Sequence, residues 1–208
     1  MLLFLVGGSA LVLATPPKVS ADAIQASVTR TPDLMSRAWS LPVASTFQSD
    51  IRYQSNGSLC GPASVANTFR SVGEEETTEN EVLDGTGKCW TGFCIMGLTL
   101  DEVAEVARAH TRRKVTVLRD LTPDEFHDHM RHANDPGRRY IVNFTRAPIF
   151  GGGGGHHSPI GGYLPDEDLV FVLDVNEAYK PWLIERERLF DAMNTMDGQS
   201  KRGLLLIE

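Results

Sequence analysis

Three residue types that together do acyl-transfer chemistry are spread along this chain of 208 residues: Cys60, the pair His156-His157, and Asp174. Cys60 ends the polar stretch Gln54-Ser55-Asn56-Gly57-Ser58-Leu59, and a small-residue segment follows at once. In that segment Ala63, Ala66, Phe69 and Val72 recur at three-residue steps, and Gly73 is a stop. The pattern predicts a helix from Cys60 to about Gly73, with the sulfur at its N-terminus. Unpaired N–H groups and partial positive charge there favour a thiolate over a thiol. A cysteine nucleophile wants an imidazole within hydrogen-bond reach and a third group to hold the imidazole's tautomer. His156 and His157 offer the first and Asp174 the second. Gln54 carries a side-chain amide suited to an oxyanion hole.

The elements that must position these groups can be read in order. Residues 22 to about 50, interrupted by Pro32 and Pro42, read as an extended arm with one helical turn near Asp33 to Ala38. Glu74 to Glu79 is an acidic connector, and Asp84 to Gly97 a Gly-rich loop holding Cys89 and Cys94. Thr99-Leu100-Asp101-Glu102 is a capping box that starts a helix to about His110. Lys114 to Leu118 is a strand, and Thr122-Pro123-Asp124-Glu125 starts a helix to about Ala133. From Arg139 the character is β: Tyr140–Phe144, then His156–Tyr163 after five glycines, then Leu169–Val175. Ile184 to Met193 reads as helix and Arg202 to Ile207 as a last strand. Helices first and antiparallel strands after predict an α+β domain. Antiparallel neighbours bring the start of the His156 strand beside the end of the Asp174 strand. Alternation lets only one of His156 and His157 face the site, and a register slip of one would select His157. A carboxylate in an apolar strand is costly unless paired, which favours an Asp174–His partnership; the bland alternative is an Asp capping the turn at Asn176.

Length and composition bound the rest. The chain suits one domain of good size. A net charge of -7 argues against a nucleic-acid partner. Met1 to Ala14 is apolar but shorter than the roughly 20 residues that span a bilayer. With small residues at Val19-Ser20-Ala21 it reads as a secretory signal peptide cut after Ala21, or as an N-terminal anchor, although no Lys or Arg precedes the apolar run. The expected division is therefore residues 1–21 as leader and 22–208 as catalytic domain, in a periplasmic or secreted protein. Of the three cysteines, Cys89 and Cys94 are near enough to pair, leaving Cys60 free, or else both are reduced and half-buried beside Trp90 and Phe93. His127, His129 and His132 invite a metal reading, but a solvated helix face is the simpler one, and no metal site is assigned. The glycine run is no phosphate loop, lacking a Lys-Ser/Thr and a following helix; it reads as a segment that lets substrate backbone approach His156.

At these residues the chain resembles the catalytic domain of the phytochelatin synthases. The likeness rests on Gln54…Cys60-Gly61-x-Ala63-Ser64, on His156-x-Ser158-Pro159-Ile160-Gly161-Gly162-Tyr163, on Leu173-Asp174-Val175 and on Ala192-Met193-Asn194-Thr195. Met96 to Glu102 and Val142-Asn143-Phe144 join it, so that roughly residues 45–208 are covered. The resemblance implies a papain-like cysteine peptidase fold. It implies Cys60 as nucleophile on glutathione, His156 as general base and then acid, Asp174 as its orienter, and Gln54 with the Cys60 N–H as oxyanion hole. Asp197 and Arg202 would recognise substrate charge, and Gly155 and Asn143 are further expected substrate-binding positions. The acyl group would pass to water, giving γ-glutamylcysteine, or to a second glutathione. No cofactor is implied; heavy-metal thiolates of glutathione are a candidate form of the substrate, and a homodimer is a candidate assembly. Where the family carries an Arg and a Lys-Tyr-Pro-Pro run, this chain reads Val175-Asn176-Glu177-Ala178-Tyr179-Lys180-Pro181-Trp182, and it has no Cys-rich C-terminal domain. The altered segment bears on the second-substrate and donor sites, and the likeness to bacterial members without that domain, which resemble hydrolases, favours hydrolysis over polymerisation. Two other readings stand beside this one. One is a papain-fold peptidase of the kind that trims Gly-rich bacteriocin leaders. The other is a non-catalytic thiol or heavy-metal binding protein of the envelope using Cys60, Cys89 and Cys94.

Overall fold

The computed structural model describes residues 18–208. The apolar leader expected at 1–21 lies mostly outside the described residues. Its last residues, Ser20 and Ala21, cap and begin a helix, with the Ser20 hydroxyl accepting from Ala23 N at 3.2 Å. The elements run α1 Ala21–Ser27, α2 Pro32–Trp39, α3 Pro42–Thr46, α4 Cys60–Val72, α5 Glu79–Leu83, α6 Leu100–His110, β1 Val115–Leu118, α7 Pro123–Arg131, β2 Arg139–Thr145, α8 Ala147–Phe150, β3 Gly155–Leu164, β4 Leu169–Val172, β5 Trp182–Glu185, α9 Arg186–Met193, β6 Met196–Asp197, β7 Ser200–Lys201 and β8 Gly203–Ile207.

Six strands form one antiparallel sheet in the order β1-β8-β2-β3-β4-β5. Period-two alternation splits β2 between two cores. Tyr140, Val142 and Phe144 point to one side, with α7, α8 and α9. Ile141 points to the other, with α4, α5 and α6. A third cluster packs α2 and α3 over Phe171 and Leu173. Helices therefore cover both faces, and β3 and β4 are buried almost throughout.

Several sequence expectations need correction. The arm at 22–50 is three short helices, because Pro32 and Pro42 open α2 and α3 at the first turn instead of breaking them. Thr78 and Glu81 form a capping box that starts α5, so the acidic connector ends in a helix. Trp182–Glu185 is a strand paired with β4, and the helix expected from Ile184 begins at Arg186. Asp174 lies two residues beyond the end of β4.

Candidate active site

Cys60 opens α4, a helix of 13 residues whose C-cap is Gly73 in the left-handed region. The helix start is held from three sides. Gly61 packs so closely on α6 that a Cβ there would meet Val103 at 2.7 Å. Ser64 Oγ donates to the Cys60 carbonyl at 2.7 Å. The preceding loop is tied to the 89–94 loop, where Asn56 Nδ2 donates to the Gly92 carbonyl and Cys94 N donates to Ser58 Oγ, each at 3.0 Å. Cys89 and Cys94 are joined by a disulfide, leaving Cys60 as the free thiol, and buried.

The two histidines come from β3, next to this helix start. His156 is paired with Phe144 on β2 and His157 with Asn143. His156 Nε2 lies 3.0 Å from Asp174 Oδ1, off the direction of its N–H, so the contact is more ion pair than directed hydrogen bond. His157 Nδ1 lies 3.8 Å from Cys60 Sγ. The thiol interacts with both rings, contrary to the expectation that alternation admits only one. The reason lies in the sheet. β4 pairs with β3 only from Ile160 onward, so Gly155–Ser158 is an open edge on that side. The start of α4, which carries Cys60, packs against β3.

Asp174 is fully buried and compensated by four groups. Arg146 Nη2 donates to Oδ1 at 2.9 Å, Asn176 N to Oδ1 at 2.9 Å, and Trp182 Nε1 to Oδ2 at 3.0 Å, while His156 supplies the fourth contact. Asp174 thus both orients a histidine and caps the turn at Asn176. Sequence reasoning missed Arg146 and Trp182. The Arg146 guanidinium is also stacked on Tyr179, 3.5 Å from the ring centroid. Tyr179 and Trp182 both belong to the segment that departs from the family pattern.

Electrostatics follow from these contacts. Burial pushes the Asp174 carboxyl up, but the charges of Arg146 and His156 outweigh it and hold the group well below the usual carboxylate range. Burial and Arg146 push His156 down, but Asp174 and the hydrogen bond to Cys60 prevail and raise it. Burial pushes the Cys60 thiol up, yet hydrogen bonds from His156 and His157, with their charges, bring it well below its ordinary value. The favoured resting state is a thiolate–imidazolium pair, a nucleophile ready without prior proton removal.

The remaining expected residues stand around a cleft of about 520 Å³ beside Cys60. Arg202 Nη1 donates to Asn143 Oδ1 at 2.8 Å and lies 3.1 Å from Asp197 Oδ2, which accepts from Asn143 Nδ2 at 3.0 Å. A Cβ on Gly155 would meet Arg202 at 2.6 Å, so glycine is required for that guanidinium to lie along β3. Asp197, Arg202 and Gly155 line the cleft, and Asn143 sits behind Arg202. Gln54 is anchored through its N–H to the Val175 carbonyl at 2.8 Å. Its amide donates one hydrogen to the Asn56 carbonyl at 2.7 Å. Among the described residues no group of three or more His, Cys, Asp and Glu is placed to hold a metal ion, and His127 and His129 face the Tyr163 and Tyr140 hydroxyls instead.

Comparison with known proteins identifies the fold and the family. The fold resembles that of a protein described as a C39-like peptidase from Bacillus anthracis, with a TM-score of 0.57 at 11% identity over 78% of this chain and 96% of that one. It is the α+β, papain-like cysteine peptidase fold. Glutathione gamma-glutamylcysteinyltransferase 3 of Lotus japonicus is 34% identical over 54% of this chain and 25% of its own length. The corresponding enzyme 1 of Triticum aestivum is 34% identical over 53% of this chain and 23% of its own length. This chain therefore spans about a quarter of the length of the curated relatives it matches. A sequence-family model described as phytochelatin synthase matches residues 15–204, and the chain belongs to the phytochelatin synthase family.

Proposed function

We propose that this protein is a cysteine acyltransferase of glutathione that cleaves it to γ-glutamylcysteine and glycine, with transfer to a second glutathione as the alternative fate of the acyl group. The observation that carries this reading is the buried Cys60 thiol beside the two histidines, His156 paired with Asp174, on a cleft that Arg202 also lines, in a chain of this family. Cys60 Sγ attacks the carbonyl of the Cys–Gly bond. The Cys60 N–H and the second N–H of the Gln54 amide are the donors assigned to the developing oxyanion. His156 gives its proton to the departing glycine amine, the C–N bond breaks, and a γ-glutamylcysteinyl thioester remains on Cys60. His156, now neutral, takes a proton from water as the water oxygen adds to the thioester carbon; the C–S bond then breaks, γ-glutamylcysteine leaves and the thiolate returns. Arg202 suits a substrate carboxylate, since guanidinium donors match carboxylate geometry. A cleft of this size suits a tripeptide.

Two further parts of the reading have narrower support. The Cys89–Cys94 disulfide fits an exported protein, because such bonds persist in oxidising compartments. Glutathione and its heavy-metal thiolates are the two substrate forms to compare. The test is glycine release from glutathione by the purified protein. Wild type is expected to release glycine and Cys60→Ala to release none; equal release by both, or none by either, contradicts the proposal.

A further inference from the structure

His157 is the group at the nucleophile that the mechanism above leaves unused. It is 2% exposed, and its Nδ1 is 3.8 Å from Cys60 Sγ. Its Nε2 is buried with no hydrogen-bond partner among the described residues. An N–H at that nitrogen would be a buried donor with nothing to donate to, which is less tolerable than a buried lone pair. The proton of the neutral ring therefore belongs on Nδ1, the nitrogen that faces the sulfur. Among the described residues no carboxylate holds His157, in contrast to His156 with Asp174. The two rings also lie on different sides of β3. His156 packs on Phe144, whereas His157 stands opposite Asn143 and lines the cleft with Gly155 and Arg202.

We propose that His157 is a second catalytic residue, an Nδ1–H donor to the Cys60 thiolate that acts alongside His156. The donor matters most in the second half of the reaction. There His156 must be neutral in order to take the proton of the attacking water. That proton makes His156 an imidazolium again as the water oxygen adds to the thioester carbon, and the C–S bond then breaks with its electron pair returning to Sγ. His157 donates a second hydrogen bond to that leaving thiolate, beside the imidazolium, and so speeds its departure. The mechanism deepens the glutathione reading, but the thiolate contact itself requires no substrate.

The test exploits that independence by measuring the rate of Cys60 alkylation with iodoacetamide against pH. The charged and titratable groups that face Cys60 are His156, His157 and, at longer range, Arg202, with Asp174 behind His156 and Asp197 beside Arg202. A hydrogen bond to a charged group is strong enough that losing it should raise the alkylation midpoint by about 1 pH unit or more. His157→Phe removes the donor. His157→Gln keeps a polar side chain of similar reach but places its amide where Nε2 stands, so it should behave like His157→Phe. His157→Asn places its amide nitrogen near Nδ1 and should keep the wild-type profile. His157→Gln serves as the donor-loss variant if His157→Phe does not fold. Superimposable profiles for wild type and His157→Gln, or an upward shift in His157→Asn equal to that in His157→Gln, would overturn the assignment. Absence of glycine release by wild type would instead count against the glutathione reading alone. With glutathione, His157→Gln is expected to keep a glycine burst equal to the enzyme present while its steady rate falls about 10-fold or more; a burst lost in step with the steady rate contradicts the role in deacylation.

Discussion

A single buried carboxylate, Asp174, governs the behaviour of the site at the residue scale. It meets Arg146, Trp182, Asn176 N and His156 at 2.9 to 3.0 Å, and both it and Arg146 are removed from solvent. Replacing Arg146 by Met leaves much of that charge uncompensated, and a urea titration should show a loss of about 3 kcal/mol or more. The sign of the pH effect follows from the depressed Asp174 carboxyl. Its stability is fully present above the unfolded carboxylate range and fades as pH falls through the lower folded value. Arg146→Met should therefore unfold at a higher pH than wild type on acidification. The activity profile has two limbs. The thiol is lowered and His156 is raised, so the thiolate–imidazolium form spans the interval between them. The rate with glutathione should rise at a pH well below the ordinary thiol range and fall above the ordinary imidazole range. An acid limb at the ordinary thiol value would contradict the ion pair.

At the scale of elements, the site depends on where one helix starts and one strand loses its neighbour. The helix start at Cys60 was legible because small and apolar residues recur at helical spacing up to Gly73. The capping boxes at Thr99 and Thr122 were legible because the cap and its acidic partner lie within one turn. The partners of Asp174 were not. Arg146 and Trp182 reach it across 28 and 8 positions respectively, and no local pattern encodes that. Nor did periodicity reveal that both histidines reach the sulfur, which required knowing that β4 pairs only from Ile160. The short helices at 21–46 were hidden by prolines that begin helices as readily as they end them. Gly155 lends itself to a test at this scale. Its Cβ would displace Arg202, so Gly155→Ala should raise KM for glutathione by about 10-fold with a much smaller change in kcat, read from steady-state kinetics. An equal fall in kcat with KM unchanged would mean that Arg202 does not bind substrate.

For the whole molecule, two packed layers of helices hold the sheet, and a disulfide-closed loop forms one wall of the cleft. Phe93, Cys94 and Met96 line it, and the loop is anchored to the nucleophile's own loop through Ser58 and Asn56. Because that loop closes over few residues, the disulfide is expected to contribute about 2 kcal/mol. Cys89→Ser/Cys94→Ser should melt roughly 5 °C lower, seen by calorimetry, with Cys60 still alkylated at low pH. The helix start, the paired imidazoles and the buried carboxylate equip Cys60 to carry an acyl group, which under the proposed function is γ-glutamylcysteinyl. Intact-mass measurement on enzyme mixed with glutathione and quenched in acid tests this most directly. A mass gain equal to glutathione less glycine is expected on Cys60, and is expected to be absent from Cys60→Ala. Glycine release with no such adduct at Cys60, or the same adduct in Cys60→Ala, would contradict the mechanism.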